Sequence, residues 1–378
     1  MIPHLYIHVP FCTSKCHYCA FYSETGTGKS IIAEYPALLQ QELMLRTDVF
    51  STLNPRTVYM GGGTPSLLGA DGFHKLAGLL KGTMKFDQLE EWSVEINPAS
   101  ATPDLFTAMR QCGINRLTFG AQSFNNSVLK TINRIHNAQC TIDSVKLARK
   151  CGFDNIGIDL IAGLPGVNST IWLEDLQSAL SLNPQHLSVY SLSVEQGTKL
   201  AEMVNNGLPV ADVDEQFERL HEAEDILTKA GFMRYEISNY ALPGYECRHN
   251  LGVWRGDDYL GLGPAAASRI EMNRMENNPD LKLWREALLQ NNLPPHTYES
   301  MSEEDDALQR VLFRLRLQEG FNPEESIKKY SLLRKKEISW QKALNRMTEN
   351  GALEQQNGRW SLTERGREVC DYVIRELM

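Results

Sequence analysis

Cys12, Cys16 and Cys19 fall in the run Phe11-Cys12-Thr13-Ser14-Lys15-Cys16-His17-Tyr18-Cys19, directly after a strand-like segment. Thiolates spaced Cys-x3-Cys-x2-Cys can wrap one corner of a [4Fe-4S] cubane, and three thiolates for four irons leave one iron without a protein ligand. Adjacent amine and carboxylate groups, as at the methionyl end of S-adenosylmethionine, can chelate that iron. An electron from the cluster can then break a carbon-sulfur bond and give a 5′-deoxyadenosyl radical. Zinc is a competing occupant, but structural zinc asks for four ligands and usually paired Cys-x2-Cys units. No second pair is present, and His17 could add a fourth ligand only from inside the same short loop. Three unrelated buried thiols are the remaining alternative.

The elements that must position these residues alternate. β-Branched or aromatic runs at Leu5 to Val9, Thr57 to Met60, Trp92 to Ile96, Arg116 to Phe119, Asn155 to Ile161 and His186 to Leu192 read as six strands. Helical spacing between them predicts helices over Ile31 to Leu45, Gly72 to Leu80, Pro103 to Arg110, Asn137 to Cys151 and Thr170 to Leu182. Alternating β and α elements imply a parallel sheet with right-handed crossovers, and periodicity alone does not choose between an open sheet and a barrel. In both, ligands gather at the carboxyl ends of the strands. The unusual residues lie there: Cys12, the Gly61-Gly62-Gly63-Thr64-Pro65 turn, Asn97-Pro98, Gln122 and Gly163-Leu164-Pro165. A glycine turn alone is a weak signal, because a tight structural turn is its commoner use.

Composition narrows the function classes. The chain has 378 residues and a formal charge of −9, from 38 basic against 47 acidic side chains, which argues against a general nucleic-acid or anionic-membrane surface. No apolar stretch is long enough to span a membrane and no signal peptide precedes the first strand, so a cytoplasmic location is expected. Eight cysteines are too sparse for a disulfide scaffold. Asp214 to Ala230 reads as a further helix and Met233 to Tyr240 as a strand. A turn-rich stretch from Pro243 to Pro264 follows, and from Met301 the pattern is helix, helix, helix, then a β-hairpin centred on Gln356-Asn357-Gly358. The expected organisation is a first domain over residues 1–242, a connecting segment over 243–300 and a C-terminal, mainly helical, winged-helix-like domain over 301–378. Lys328, Lys329, Arg334, Lys335 and Lys336 raise a nucleic-acid role for that last domain; Glu303 to Asp306 oppose it, and a docking or lid module is favoured.

The cysteine spacing resembles the signature of the radical S-adenosylmethionine superfamily. Within it, Leu5-Tyr6-Ile7-His8-Val9-Pro10-Phe11-Cys12, Gly61 to Ser66, Val94 to Pro98, Gly120 to Phe124, Asn133-Arg134 and Asp159 to Pro165 are similar to proteins of the oxygen-independent coproporphyrinogen III oxidase family. The resemblance implies a partial (β/α)6 barrel. It also implies that Tyr6, Gly62, Gly63, Thr64, Glu95, Gln122, Arg134 and Asp159 line an S-adenosylmethionine pocket, and that an electron donor serves the cluster. Carboxylates suit ribose hydroxyls and an amine, and an arginine suits a carboxylate. Each has a plainer use, as helix caps for Glu95 and Asp159 and a solvated charge for Arg134.

Two departures point away from the oxidase. Its further cysteine two residues past the third ligand is Phe21 here, and its N-terminal extension has no counterpart before Cys12. Both features resemble the HemW-type haem chaperone branch, as do Tyr235 to Ala241, Arg248 to Trp254 and Asp258 to Pro264. That resemblance implies haem as a ligand and a haem-accepting protein as partner. His249, Asn250 and Trp254 match the branch's His-Asn-x-x-Tyr-Trp motif, with Val253 in place of the tyrosine, and Ala267 stands where the branch commonly has a histidine. An imidazole is a natural axial ligand for haem iron, so His249 is the expected haem residue; the plainer alternative is that His249 and Asn250 bond a turn under the barrel mouth while Trp254 packs in the core. No residue stands out as catalytic, and oxidation of coproporphyrinogen III is the alternative activity.

Overall fold

A computed structural model describes residues 1–46, 49 and 52–378 of the chain. The six expected strands form β1 (Ile2–Val9), β2 (Leu53–Gly62), β3 (Glu91–Ile96), β4 (Arg116–Gln122), β5 (Asn155–Ala162) and β6 (His186–Ser191), paired in chain order and all parallel. Helices α1 (Lys29–Leu45), α2 (Gly69–Thr83), α3 (Pro103–Cys112), α4 (Ala138–Lys150) and α5 (Ser169–Ser181) make the crossovers. Their boundaries follow local chemistry. Thr102 caps α3 through the Leu105 amide, Pro103 opens it and Gly113, with φ at 99°, closes it. Helix α6 (Val213–Lys229) starts with a reciprocal box between Asp212 and Glu215.

The strands alternate along most of their length. Leu5, Ile7 and Val9, Val58 and Met60, Trp92, Val94 and Ile96, Leu117 and Phe119, and Ile156 and Ile158 join one buried core with Leu39, Phe73, Phe106, Val145 and Trp172 from the helices. The residues between them are polar or glycine. By strand register, His4, Thr57 and Glu91 stand in the first layer, Tyr6, Tyr59, Ser93, Arg116 and Asn155 in the second, Glu95, Thr118, Gly157 and His186 in the third with His8 and Gly61, and Gly120, Asp159 and Ser188 in the fourth. A sheet with one apolar and one polar face usually turns the polar face to water. Here it is largely buried, with Arg116 1% and His186 2% exposed.

Three stretches differ from expectation. Met233 to Tyr240 is not one strand but two short antiparallel ones, β7 (Met233–Arg234) and β8 (Asn239–Ala241), with β8 paired to β6. The expected connector over 243–300 instead extends the same sheet past β1. Strand β9 (Tyr259–Leu262) lies parallel to β1, and β10 (Ala267–Ile270), β11 (Asn273–Asn277) and β12 (His296–Ser300) follow antiparallel. The resulting order of twelve strands is β12-β11-β10-β9-β1-β2-β3-β4-β5-β6-β8-β7. Within the turn-rich stretch expected from Pro243 to Pro264, Arg248 to Trp254 form a helix, α7 (Arg248–Trp254). No side chain of its own segment caps it; the Glu91 carboxylate accepts the amides of Arg248 and His249 at 3.1 and 3.2 Å.

The C-terminal part has its own core around Leu312, Phe321, Trp340, Leu344 and Val373. Its hairpin, Leu353–Gln356 with Arg359–Leu362, turns through Asn357 and Gly358, both with positive φ as a type I′ turn requires. It meets the rest of the chain through ion pairs: Arg310 with Asp258 at 2.7 Å, Arg269 with Asp306 at 2.7 Å and Arg367 with Glu224 of α6 at 2.9 Å.

Candidate cofactor site at the carboxyl ends of the strands

The three cysteines lie on the loop that leaves β1. Phe11 and Cys12 pair with Glu24 and Thr25, which returns the loop to its start. The loop is tied down along its length. The Asn133 side chain donates to Ser14 Oγ and the Lys15 carbonyl, both at 2.9 Å, and the His17 amide donates to the Ile132 carbonyl at 3.0 Å. His17 Nδ1 bonds the Thr131 carbonyl at 2.9 Å, so this imidazole anchors the loop. All three thiols are partly exposed and unpaired. Burial pushes the Cys19 thiol up, the Phe21 amide opposes it, and Cys16 and Cys12 are near enough to add to the rise. Among the described residues no three His, Cys, Asp or Glu groups converge on a point that one metal ion would occupy.

Arg134 is built into this loop. Its Nη1 donates to Cys16 Sγ at 3.4 Å and its Nη2 to the Gly120 carbonyl, while Nε has no partner. Burial works against its charge, but Tyr18, Cys16 and Cys19 outweigh that and hold the guanidinium protonated. Sequence reasoning gave Arg134 to a carboxylate; the structure adds a thiolate partner. Thr64 Oγ1 stands 3.6 Å from Cys12 Sγ.

The glycine run packs more tightly than a ligand cradle alone would ask. A Cβ on Gly61 would meet Glu95 Oε1 at 2.8 Å, one on Gly62 the His8 ring at 2.5 Å, and one on Gly63 the carbonyls of Val9 and Phe11 at 2.7 and 2.8 Å. Gly62 also has φ at 98°, which L side chains resist. The glycines therefore let β2 close on the end of β1 and on Glu95.

Glu95 is gripped from two sides. Tyr59 donates to Oε1 at 2.7 Å and the Gly62 amide donates as well, yet burial dominates and raises the carboxyl. Asp159 is raised to about 7, by burial first and by Glu95 in addition, against the Ser188 hydroxyl, Arg116 and Arg134. Tyr6 donates or accepts at His8 Nδ1 over 3.1 Å, and His8 Nε2 bonds the Tyr22 carbonyl at 2.9 Å. Gln122 sits where the β4–β5 register slips, with φ at 68°. A non-glycine residue held there is strained, and such strain gathers at binding sites. Gln122 Oε1, Arg134 Nε and Asp159 Oδ1 are buried without a partner. One acceptor from an amide, one donor from a guanidinium and one carboxylate oxygen suit a ligand with both hydroxyl or ammonium donors and a carboxylate, so the residues fit S-adenosylmethionine.

Tyr18 and His136 were not anticipated. Tyr18 lies against Arg134 and the cysteines, and burial with the Arg134 charge lowers His136 to about 3. Tyr18 stands inside the cysteine run at a position its spacing leaves free, and His136 belongs to no motif. Asn97-Pro98, by contrast, is local structure: the Asn97 side chain accepts the Ala99 amide at 3.1 Å and caps a single turn.

His249 is not part of this group. It lies at the opposite end of the strands, in the first polar layer, 6% exposed, with Nδ1 bonded to Thr57 Oγ1 at 2.8 Å. Its ring stacks on Tyr59 at 5.2 Å and meets His4 edge-on at 5.6 Å. Burial, with His4 beside it, lowers it to about 3, so the ring is neutral. Trp254, five residues along, faces the C-terminal part, against Phe313 and Arg316.

Residues 6–179 match the family model described as the radical SAM superfamily. A "Heme chaperone HemW" of Mycobacterium tuberculosis is 33% identical over 99% of this chain and 94% of its own length. A protein of the same description from Bacillus subtilis is 30% identical over 98% of this chain and 97% of its own. In fold, the chain is similar to the coproporphyrinogen III oxidase HemN of Escherichia coli, described as a radical SAM enzyme. The TM-score is 0.86 over all of this chain and 90% of the other, at 23% identity.

Proposed function

This chain belongs to the radical SAM superfamily and within it to the HemW family, and from that premise we propose that it binds haem and passes it to an acceptor protein. The observation that carries the proposal is the near end-to-end match to relatives described as haem chaperones, which includes the C-terminal part as well as the strands. Cys12, Cys16 and Cys19 would hold the [4Fe-4S] cluster, with Arg134 and Thr64 donating to its sulfur ligands. Tyr6, Gly62, Gly63, Thr64, Glu95, Gln122, Arg134 and Asp159 would line the S-adenosylmethionine pocket. Together these groups supply one-electron reduction and a cleavable carbon-sulfur bond. Arg134 keeps a cation beside thiolate, Glu95 and Asp159 present carboxyl oxygens fixed by Tyr59 and Ser188, and the pinned loop keeps three thiols apart yet open. Among the described residues no helix is long and apolar enough to cross a membrane, and the unpaired thiols suit a reducing compartment such as the cytoplasm.

Haem titrated into anaerobically reconstituted protein should give a shifted Soret band that saturates, and transfer to an apo-haemoprotein should restore that protein's spectrum. A spectrum indifferent to the protein would overturn the proposal. The same preparation, given S-adenosylmethionine and a reductant, should leave coproporphyrinogen III unchanged; its conversion would favour the oxidase activity instead.

A further inference from the structure

The histidine of the His249 to Trp254 segment is placed where a metal ligand is least useful. An axial ligand needs one ring nitrogen facing open space large enough for a macrocycle. His249 has one nitrogen on Thr57, one ring face on Tyr59 and an edge on His4. Helix α7 is pressed against the sheet at this point: a Cβ on Gly252 would stand 2.0 Å from His4 Nε2. Releasing the imidazole would mean lifting the whole helix, with the Glu91 bonds that start it.

What His249 does touch leads elsewhere. Tyr59 is two residues beyond Thr57 on the polar face of β2, so one ring rests on both. Tyr59 carries that support upward: it stacks on Tyr6 with centroids 6.4 Å apart, and its hydroxyl donates to Glu95 Oε1 at 2.7 Å. Glu95 in turn faces Gly61 and takes the Gly62 amide, at the residues that close on the cysteine loop. A continuous line of contacts thus runs from α7, through His249 and Tyr59, to Glu95.

We infer that His249 is a positioning residue of the cofactor pocket, which steadies Tyr59 so that its hydroxyl fixes the Glu95 carboxylate, and is not a haem ligand. The inference rests on the assignment of that pocket to S-adenosylmethionine. Trp254 gives the same helix a second contact, on Phe313 and Arg316, so the segment braces the pocket against the C-terminal part.

The test uses full-length reconstituted protein and two titrations, S-adenosylmethionine and haem, on Tyr59→Phe, His249→Ala, His249→Phe and the double variant Tyr59→Phe/His249→Ala. Loss of one hydrogen bond to a carboxylate should weaken S-adenosylmethionine binding about tenfold in Tyr59→Phe, the equivalent of ~1.4 kcal/mol. The loss should grow as pH falls, because the Tyr59 bond, together with the Gly62 amide, opposes the effect of burial on the Glu95 carboxyl, and without it that carboxyl rises further. His249→Ala should weaken binding, and His249→Phe, which keeps a ring face and no nitrogen, should restore it. The double variant should bind like Tyr59→Phe, since both act through one bond. Haem affinity should survive in His249→Phe. Additive losses in the double variant, or haem binding lost in both His249 variants with S-adenosylmethionine unaffected, would overturn the inference. A wild-type protein that fails to bind S-adenosylmethionine would overturn the pocket assignment, and the inference with it.

Discussion

Replacing Asp159 by Asn should change how stability depends on pH, in a direction the structure fixes. In the folded protein burial raises this carboxyl from 3.8 to about 7. Between those two values the native state holds a proton that the unfolded chain has released. Stability therefore falls as pH rises through that window, and the full cost stands above the folded value. Each pH unit of the window is worth about 1.4 kcal/mol, which puts an upper limit of about 4 kcal/mol on the cost. Asparagine cannot ionise, so the variant escapes the slope. Glu95 faces Asp159, and with no second charge beside it ionises more readily, which acts in the same direction. The assay is urea unfolding of reduced, cluster-free full-length protein at intervals from acid to mildly alkaline pH. The variant should gain on the wild type steadily across the window and level off beyond it. A difference that stays flat would refute the claim that Asp159 is buried beside Glu95 as a high-pKa carboxyl.

Other expectations follow from single contacts. Glu42, fully buried, accepts from Arg46, Asn277, the Gly263 amide and the Trp284 indole. Glu42→Ala leaves the buried Arg46 with Asn277 but without its carboxylate, and should cost about 3–5 kcal/mol in the same urea assay. Gly63→Ala should lower iron and acid-labile sulfide after reconstitution, because its Cβ would strike backbone at 2.7 Å. Gly78→Ala, whose Cβ meets nothing within 4 Å, should leave both unchanged. Changing Cys12, Cys16 or Cys19 singly to Ser should abolish the visible cluster absorption, and full retention in any one would remove that residue from the ligand set.

The elements legible in the sequence are those whose signals are local. Helices α3 and α6 carry their own caps, and the hairpin carries Asn357-Gly358. The elements missed depend on distant partners. Strand β9 is four residues long and is a strand because β1, some 250 residues earlier, supplies its hydrogen bonds; its Gly261 is there to let the Ala267 carbonyl approach. Helix α7 borrows its cap from Glu91 on β3. The candidate site divides in the same way. The cysteines and glycines declare themselves by spacing, whereas Tyr59 acquires a role only when strands are set side by side, and Tyr18 only when Arg134 is brought against the cysteine loop. One signal was present and unused: His4-Leu5-Tyr6-Ile7-His8-Val9 alternates polar and apolar residues without a break.

That alternation connects the site to the fold. A sheet that buries polar groups on one face loses about 1–3 kcal/mol for each one left unmatched, so the apolar face and its helices must carry the stability. The unmatched groups fall into two sets. Ser93 Oγ, Arg116 Nε and Nη2, and His186 Nδ1 lie in the second and third layers, where internal water is the usual partner. Gln122 Oε1, Asp159 Oδ1 and Arg134 Nε lie at the carboxyl ends of the strands, beside the cysteine loop. A ligand that satisfies the second set recovers what folding left unmatched, so its binding free energy includes relief of that cost. A pocket of this kind holds its geometry before the ligand arrives, because bonds from Ser188 and to Gly120 already fix Asp159 and Arg134, as the Tyr59 hydroxyl fixes Glu95 beside them. The polar layers are thus the frame that keeps the carboxyl oxygens and the guanidinium in place at the open end, and the contact from His249 to Tyr59 belongs to that frame.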